Sequence, residues 1–223
     1  MVMENNSKEL SQEQVWDKIA PFWNRDKKVP FGDDDKGNIL TGFIEKSDKK
    51  ILDLGCGSGR NFTSVKEAGF IGELTGVDFS AQMLKFAEIN AKNNKLDVKL
   101  SKSNLWDLSF EDNYFDKIIC IATLHCIEDK EKREKTLKEM YRVLKPKGKI
   151  LITVWNKKAK RWKNKPKEKY VSWKIDEVKD EKVHRYYYLY DQEELIKELE
   201  NVGFKILKIN FPTARNIVII AEK

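Results

Sequence analysis

The run Ile51-Leu52-Asp53-Leu54-Gly55-Cys56-Gly57-Ser58-Gly59-Arg60 constrains this chain more than any other stretch. Its first half reads as a buried strand, and its second half as a glycine-rich turn that opens a helix. Glycines at alternate positions allow positive φ and let a ligand come close to the backbone. About twenty residues on, Gly76-Val77-Asp78-Phe79-Ser80 places an acid at the end of the next strand. An acid there can accept hydrogen bonds from two ribose hydroxyls. The two segments describe a pocket for a nucleoside-containing cofactor, with Asp53, Gly55, Gly57, Gly59, Asp78 and Phe79 as its candidates.

Spacing narrows the ligand. A dinucleotide fingerprint is G-x-G-x-x-G, and the helix that follows holds a pyrophosphate at its N-terminus. Here the third glycine comes one residue early, and Asp53 sits two positions before the first. A carboxylate there repels a pyrophosphate and suits a ligand that carries an ammonium.

The rest of the chain reads as one α/β domain over 1–223, with an N-terminal helical cap at about 11–47. Ser11-Gln12-Glu13-Gln14 resembles a capping box, followed by Val15, Trp16, Ile19 and Ala20 as an apolar side and by Pro21 as a break. A polar loop at 30–38 and a second helix at about 37–47 come next. Strands are expected at 50–54, 73–77, 97–101, 116–121, 148–155, 204–210 and 215–222. Helices are expected at about 58–68, 80–94 and 129–144, and from Asp191 to Gly203.

The net charge is +7 over 223 residues, and its placement says more than its size. The segment 157–174 carries +8, with Lys157, Lys158, Lys160, Arg161, Lys163 and Lys165 among its cations, so the remainder sums to −1. Trp155, Trp162, Tyr170 and Trp173 are interleaved with these charges. Aromatic rings stack on unpaired bases while cations follow phosphate, so a basic insertion at about 156–184 is a candidate RNA surface. The plain alternative is a solvated loop whose tryptophans pack locally. No apolar run is long enough for a membrane span, and Met1–Ser7 lacks the apolar core of a signal peptide. The cysteines, Cys56, Cys120 and Cys126, form no C-x-x-C pair, and only two histidines accompany them. Reduced thiols, a cytoplasmic location and no metal site are the expectation.

D-x-G-x-G-x-G resembles motif I of the class I S-adenosylmethionine-dependent methyltransferases. Leu108-Ser-Phe-Glu-Asp-Asn-Tyr-Phe-Asp116 resembles that family's L-P-F-x-D-x-x-F-D segment, and Leu144-Lys-Pro-Lys-Gly-Lys149 its helix-turn-strand signature. The resemblance implies a Rossmann-like seven-stranded sheet in the order 3-2-1-4-5-7-6, with strand 7 antiparallel, and S-adenosyl-L-methionine as cofactor. It places Asn104 where many members carry an Asp that accepts from the adenine amino group. Leu105 and Ile121 complete the implied cofactor set.

A narrower likeness lies at both ends. Val15-Trp-Asp-Lys-Ile-Ala-Pro-Phe22, Ile121-Ala-Thr-Leu-His125 and His184-Arg-Tyr-Tyr-Tyr-Leu-Tyr190 are similar to segments of the tRNA wobble-uridine methyltransferases, a group that includes the methyltransferase domain of an AlkB homologue. These methylate the carboxylate of 5-carboxymethyluridine. The likeness implies tRNA as partner, together with a small zinc-binding activator protein. This chain departs from the pattern at Cys126, at His184 and in the loop Lys27-Lys28-Val29-Pro30-Phe31-Gly32.

A carboxylate acceptor is already an anion and needs only to be bound. Arg185 is the candidate clamp, since a guanidinium meets a carboxylate bidentately, with Lys27 or Lys28 as helper. His125, after the fourth strand, is expected to face the methyl group and to bond the uracil or act as a base. Trp162 and Tyr187 join the cations as the RNA-binding set. The rival reading is a methyltransferase for a metabolite, quinone or carboxylic acid. A further rival is a non-catalytic RNA-binding subunit that keeps the fold.

Overall fold

Apolar runs buried on both sides, such as Ile118-Ile119-Cys120-Ile121, form the middle strands of one large sheet. The computed structural model describes residues 10–26, 39–176 and 181–223. The loop read at 30–38, and Lys27 and Lys28, lie outside the described residues. In chain order the elements are α1 (Gln12–Asp26), β1 (Lys50–Leu54), α2 (Phe62–Glu67), β2 (Glu73–Asp78), α3 (Ala81–Asn93), β3 (Val98–Lys102) and β4 (Phe115–Ile121). They continue with α4 (Lys130–Val143), β5 (Leu144–Trp155), β6 (Glu168–Asp176), β7 (Glu181–Tyr188), α5 (Gln192–Val202), β8 (Lys205–Ile209) and β9 (Asn216–Glu222).

The seven-stranded sheet has the order β3-β2-β1-β4-β5-β9-β8. Strands β1 to β5 pair in parallel, while β9 runs antiparallel to both β5 and β8. With the separate hairpin β6–β7 left out of the count, this is the expected 3-2-1-4-5-7-6. The ends of β1, β2 and β4 therefore open on one edge of the sheet, where an open α/β fold binds its ligands. Among the described residues no helix is long and apolar enough to cross a membrane.

Three local readings change. The basic insertion is not a loop throughout: β6 and β7 pair from Glu168↔Tyr188 to Asp176↔Glu181, and the hairpin reaches past 184 to carry Arg185, Tyr186 and Tyr187. Its lysines hid an alternation that only its burial reveals. The helix expected at 37–47 is a series of turns over 39–47. Leu40, Phe43 and Ile44 are buried at helical spacing, but Gly42 takes φ +83°, which a right-handed helix cannot hold. Finally, α1 runs through Pro21 to Asp26. Trp23, beyond the proline, contacts Trp16 at 5.4 Å and Trp173 at 5.7 Å between ring centroids, which anchors that last part of the helix.

The capping box of α1 forms with both halves present. Ser11 N–H donates to Gln14 Oε1 at 3.0 Å, and Gln14 N–H donates to Ser11 Oγ at 3.3 Å. The helix then docks on α3 and on the edge of β7. Gln12 stands in for a further strand: its Nε2 donates to the His184 carbonyl at 3.3 Å, and its Oε1 accepts from Tyr186 N–H at 3.0 Å. Asp17 secures the start of α3, where its Oδ1 accepts from Ser80 Oγ at 2.6 Å and from Gln82 N–H at 3.1 Å. Ser80 is itself the N-cap and accepts from Met83 N–H at 3.1 Å. Asp17→Ala should therefore lower stability by about 1–2 kcal/mol, while Asp17→Asn, which keeps the acceptor oxygen, should lose less. Urea unfolding of the two variants checks this; equal losses would mean that the cap does not depend on that oxygen.

Candidate active site

The turn after β1 is shaped by what it must pass. Gly55 takes φ +76°, and a Cβ there would lie 2.0 Å from Thr123 Cγ2, so only glycine lets β1 and the end of β4 come so close. Its N–H donates to the Val77 carbonyl at 2.8 Å, which ties the turn to β2. Gly57 takes φ +55°, and the space over it is open. Its N–H donates to Asp78 Oδ2 at 2.9 Å, while Asp78 Oδ1 accepts from Ser80 N–H at 2.9 Å. A carboxylate has about four lone-pair sites, so Asp78 retains room for ligand donors. Gly59 is a packing position, since a Cβ there would meet Phe62 Cε2 at 2.4 Å.

Two buried acids charge this turn. Burial pushes Asp78 up to about 6, against the backbone amides that favour its anion. Burial likewise pushes Asp53 up to about 7, against the Asn61 amide and the Arg60 cation. Asp53 is fully buried and accepts from Asn61 Nδ2 at 3.3 Å. It does not line the pocket itself but bonds Asn61, which does.

Gly55, Gly57, Asp78, Phe79 and Ile121 line one pocket at the edge of the sheet. Phe79 is shared with an adjoining cavity of about 560 Å³ that Asn104 and Leu105 also line. The structure thus brings together seven of the expected cofactor residues, while Asp53 and Gly59 are outside the lining. The first pocket has further walls that sequence reading missed, namely Trp16, Trp23, Arg60 and Thr123. Arg60 carried a signal, because it is the first side chain after the glycine turn. The two tryptophans carried none beyond their place on an apolar helix face.

Arg185 comes in from β7, behind those tryptophans. It is 5% exposed, and its guanidinium carbon lies 4.5 Å from the Trp173 ring, 5.1 Å from Tyr187, 5.7 Å from Trp16 and 5.8 Å from Trp23. Its Nε has no hydrogen-bond partner among the described residues. Arg60 stands 5.7 Å from the Trp23 ring. Two guanidiniums from distant parts of the sequence therefore flank one indole beside the pocket.

Other expected site residues lie elsewhere. His125 does not face the pocket: it is 1% exposed, in a short turn after β4, and stacks on Trp155 at 5.2 Å and Tyr187 at 5.5 Å. Burial and the nearby arginines 161, 185 and 60 pull it down to about 3, so it stays neutral and is a poor base. Tyr187, expected among the RNA contacts, is 2% exposed and stacks on Trp155 at 3.9 Å. Trp162 stacks on the other partner of that pair, Trp155, at 4.9 Å. These tryptophans pack on their neighbours, as in the plainer of the two readings of the insertion, because a continuous ring stack buries more apolar area than separate rings at the surface. The cations fare differently. Lys158, Lys160, Arg161, Lys163 and Lys165 are exposed and Lys157 half-buried, with Lys158 paired to Glu193 at 3.0 Å.

A glycine turn after β1, an acid ending β2 and an antiparallel last strand define a Rossmann-like α/β fold of the methyltransferase kind. A family model described as a methyltransferase domain matches residues 45–203, and the chain belongs to that family. An inferred methyltransferase of Encephalitozoon cuniculi is 32% identical over 164 residues, 70% of each chain. A demethylmenaquinone methyltransferase of a Geobacillus species is 40% identical over 105 residues, 46% of this chain and 44% of that protein. A tRNA (carboxymethyluridine(34)-5-O)-methyltransferase of Arabidopsis thaliana is 29% identical over 144 residues, 64% of this chain and 32% of that protein. The chain thus matches less than half the length of these last two relatives. In fold, it is similar to a solved SAM-dependent methyltransferase of Methanosarcina mazei, with a TM-score of 0.70 over 85% of this chain and 98% of that one, at 24% identity.

The raised acids make stability depend on pH. An unfolded carboxyl titrates near 4, so as pH rises the unfolded chain releases the Asp53 proton first. The folded state holds that proton until about pH 7, and stability at this group is lost across that window. The cofactor-free Asp53→Asn variant should therefore gain on the wild type by about 2–3 kcal/mol between roughly pH 5 and pH 8. The difference between the two proteins is the quantity to measure, because neutral buried His125 pulls the wild-type profile the other way below about pH 6.5. Thermal unfolding across that range would refute the assignment if the gap stayed constant.

Proposed function

We propose that this chain methylates the carboxylate of 5-carboxymethyluridine at the wobble position of tRNA, with S-adenosyl-L-methionine as the cofactor. The observation that carries the acceptor is Arg185, buried in an aromatic box beside the pocket with an Nε that has no partner among the described residues. The residues present fit the cofactor. Asp78 is an acceptor with lone pairs to spare for ribose hydroxyls, and Phe79 and Leu105 are apolar walls for a purine. Asn104 is an exposed amide beside them, suited to an exocyclic amine. The negative ground formed by Asp53 and Asp78 suits an ammonium and a sulfonium.

When bound, the cofactor supplies a methyl group on a sulfonium, transferred by in-line displacement. This chain's residues position the acceptor and keep water away. A carboxylate needs no base, which agrees with a His125 held neutral against the Trp155–Tyr187 pair. Arg185 orients the acceptor oxygen through its planar fork, and Arg60 adds a second positive charge across Trp23. The exposed lysines of 157–165 follow phosphate outside the pocket. On this reading the protein works in the cytoplasm with tRNA, and a small zinc-binding activator protein is its further partner. The likeness to a quinone methyltransferase supports the rival small-molecule reading, but that reading leaves the +8 segment and the buried cation without a task.

The deciding experiment is methylation of bulk tRNA with labelled cofactor, with and without an activator protein, followed by nucleoside analysis. The product should be a base-labile methyl ester. Arg185→Lys keeps the charge but loses the fork, and should cut the rate about 30- to 150-fold with near-normal cofactor binding. Label that resists alkali, or a normal rate in Arg185→Lys, would sink the carboxylate clamp.

Replacing Lys157, Lys160, Lys163 and Lys165 together by Gln should weaken tRNA binding and leave cofactor affinity nearly unchanged. Each lost phosphate contact should flatten the log–log salt slope by about 0.7–0.9. An unchanged slope would move the RNA surface elsewhere and favour the small-molecule reading.

A further inference from the structure

Trp16 and Arg185 share an unusual condition. Trp16 is 9% exposed and Arg185 is 5% exposed, and in each a buried nitrogen, Nε1 and Nε respectively, has no hydrogen-bond partner among the described residues. Both atoms are donors only; neither an indole nor a guanidinium can accept. They come from opposite ends of the chain, α1 and β7, and the Arg185 guanidinium carbon lies 5.7 Å from the Trp16 ring. Buried polar groups in folded proteins almost always find a partner. Two unmatched donors in neighbouring side chains call for an acceptor that the described residues do not supply.

We propose that Trp16 is a substrate-binding residue, whose indole N–H donates to one oxygen of the acceptor carboxylate while Arg185 holds the other. This rests on the carboxylate reading of the site and adds a residue to it. A carboxylate accepts at both oxygens, with hydrogen bonds of about 2.7–2.9 Å, and so takes one donor from each residue. The ring of Trp16 already lines the pocket beside Arg60 and Cys126. The Gln12 amide ties α1 to β7, with hydrogen bonds of 3.3 and 3.0 Å to His184 and Tyr186, and so fixes the elements that carry the two donors. The indole gives what a second cation would not, a directional neutral donor that leaves the net charge of the site unchanged. The ester product has lost its negative charge and binds Arg185 less well, so the same pair favours release after transfer.

Trp16→Phe removes the N–H and keeps an aromatic ring in place. The probes are 5-carboxymethyluridine and 5-methyluridine, which lacks an acceptor on its substituent, titrated calorimetrically into the full chain saturated with S-adenosylhomocysteine. Wild type should prefer the carboxylate nucleoside by roughly a hundredfold, and Trp16→Phe should shrink that preference about tenfold. Affinity for 5-methyluridine and for S-adenosylhomocysteine should hold. A wild type that shows no preference, or binds neither nucleoside at millimolar concentration, overturns the carboxylate reading and this inference with it. A wild-type preference that Trp16→Phe retains in full, or an equal loss for both nucleosides, overturns the role of Trp16 and leaves the Arg185 clamp standing.

Discussion

Everything in the pocket is placed relative to the carboxylate of Asp78. One oxygen takes the N–H of Gly57 and the other the N–H of Ser80, so a single side chain fixes the glycine turn after β1 and the start of α3 to the end of β2. The glycine turn must then slip past Thr123 at the end of β4, which leaves Gly55 without room for a Cβ. Three parallel strands are thereby locked at their carboxyl ends with a concave surface between them. Burial raises the proton affinity of the same carboxylate, so the group that organises the pocket is also short of donors until a ligand brings them.

The acceptor side is built from parts that the core fold does not contain. α1 lies across α3 and lends its Gln12 to the free edge of β7, while β6 and β7 form a sheet of their own. Between them Trp16, Trp23 and Trp173 surround Arg185, and Arg60 reaches the same rings from the glycine turn. The arrangement separates two electrostatic regions. Asp53 and Asp78 put two buried carboxyl groups on the cofactor side, and Arg60 and Arg185 make the opposite side positive. On the proposed reading, such a division sets a cationic methyl donor beside an anionic acceptor.

Inside the positive region, His125, Tyr187, Trp155 and Trp162 form a ring stack that runs outward toward the basic segment. The stack supports Arg161, whose guanidinium carbon lies 4.7 Å from the Trp155 ring, and Lys169, 4.9 Å from Trp162. Aromatic side chains that looked available to RNA bases instead hold the insertion against the catalytic domain. The cations Lys158, Lys160, Arg161, Lys163 and Lys165 are left at the surface.

The sequence by itself determined the sheet and its cofactor edge. Strand order came from the resemblance to the class I methyltransferases, while the turn at Gly55–Gly59 and the acid at Asp78 are local patterns whose backbone requirements are written in a few adjacent residues. Capping at Ser11, Ser80 and Asp191 was legible for the same reason. Only the tertiary structure decided the acceptor side, because it depends on residues far apart in the chain meeting across α1, the glycine turn and β7. A histidine at the end of a strand looks the same in sequence whether its ring turns into a pocket or against two aromatic neighbours, and for His125 packing chose the second. Trp16 gave no sign that its nitrogen would be left beside Arg185, since an apolar helix face specifies which side is buried and not what its polar atoms will meet there.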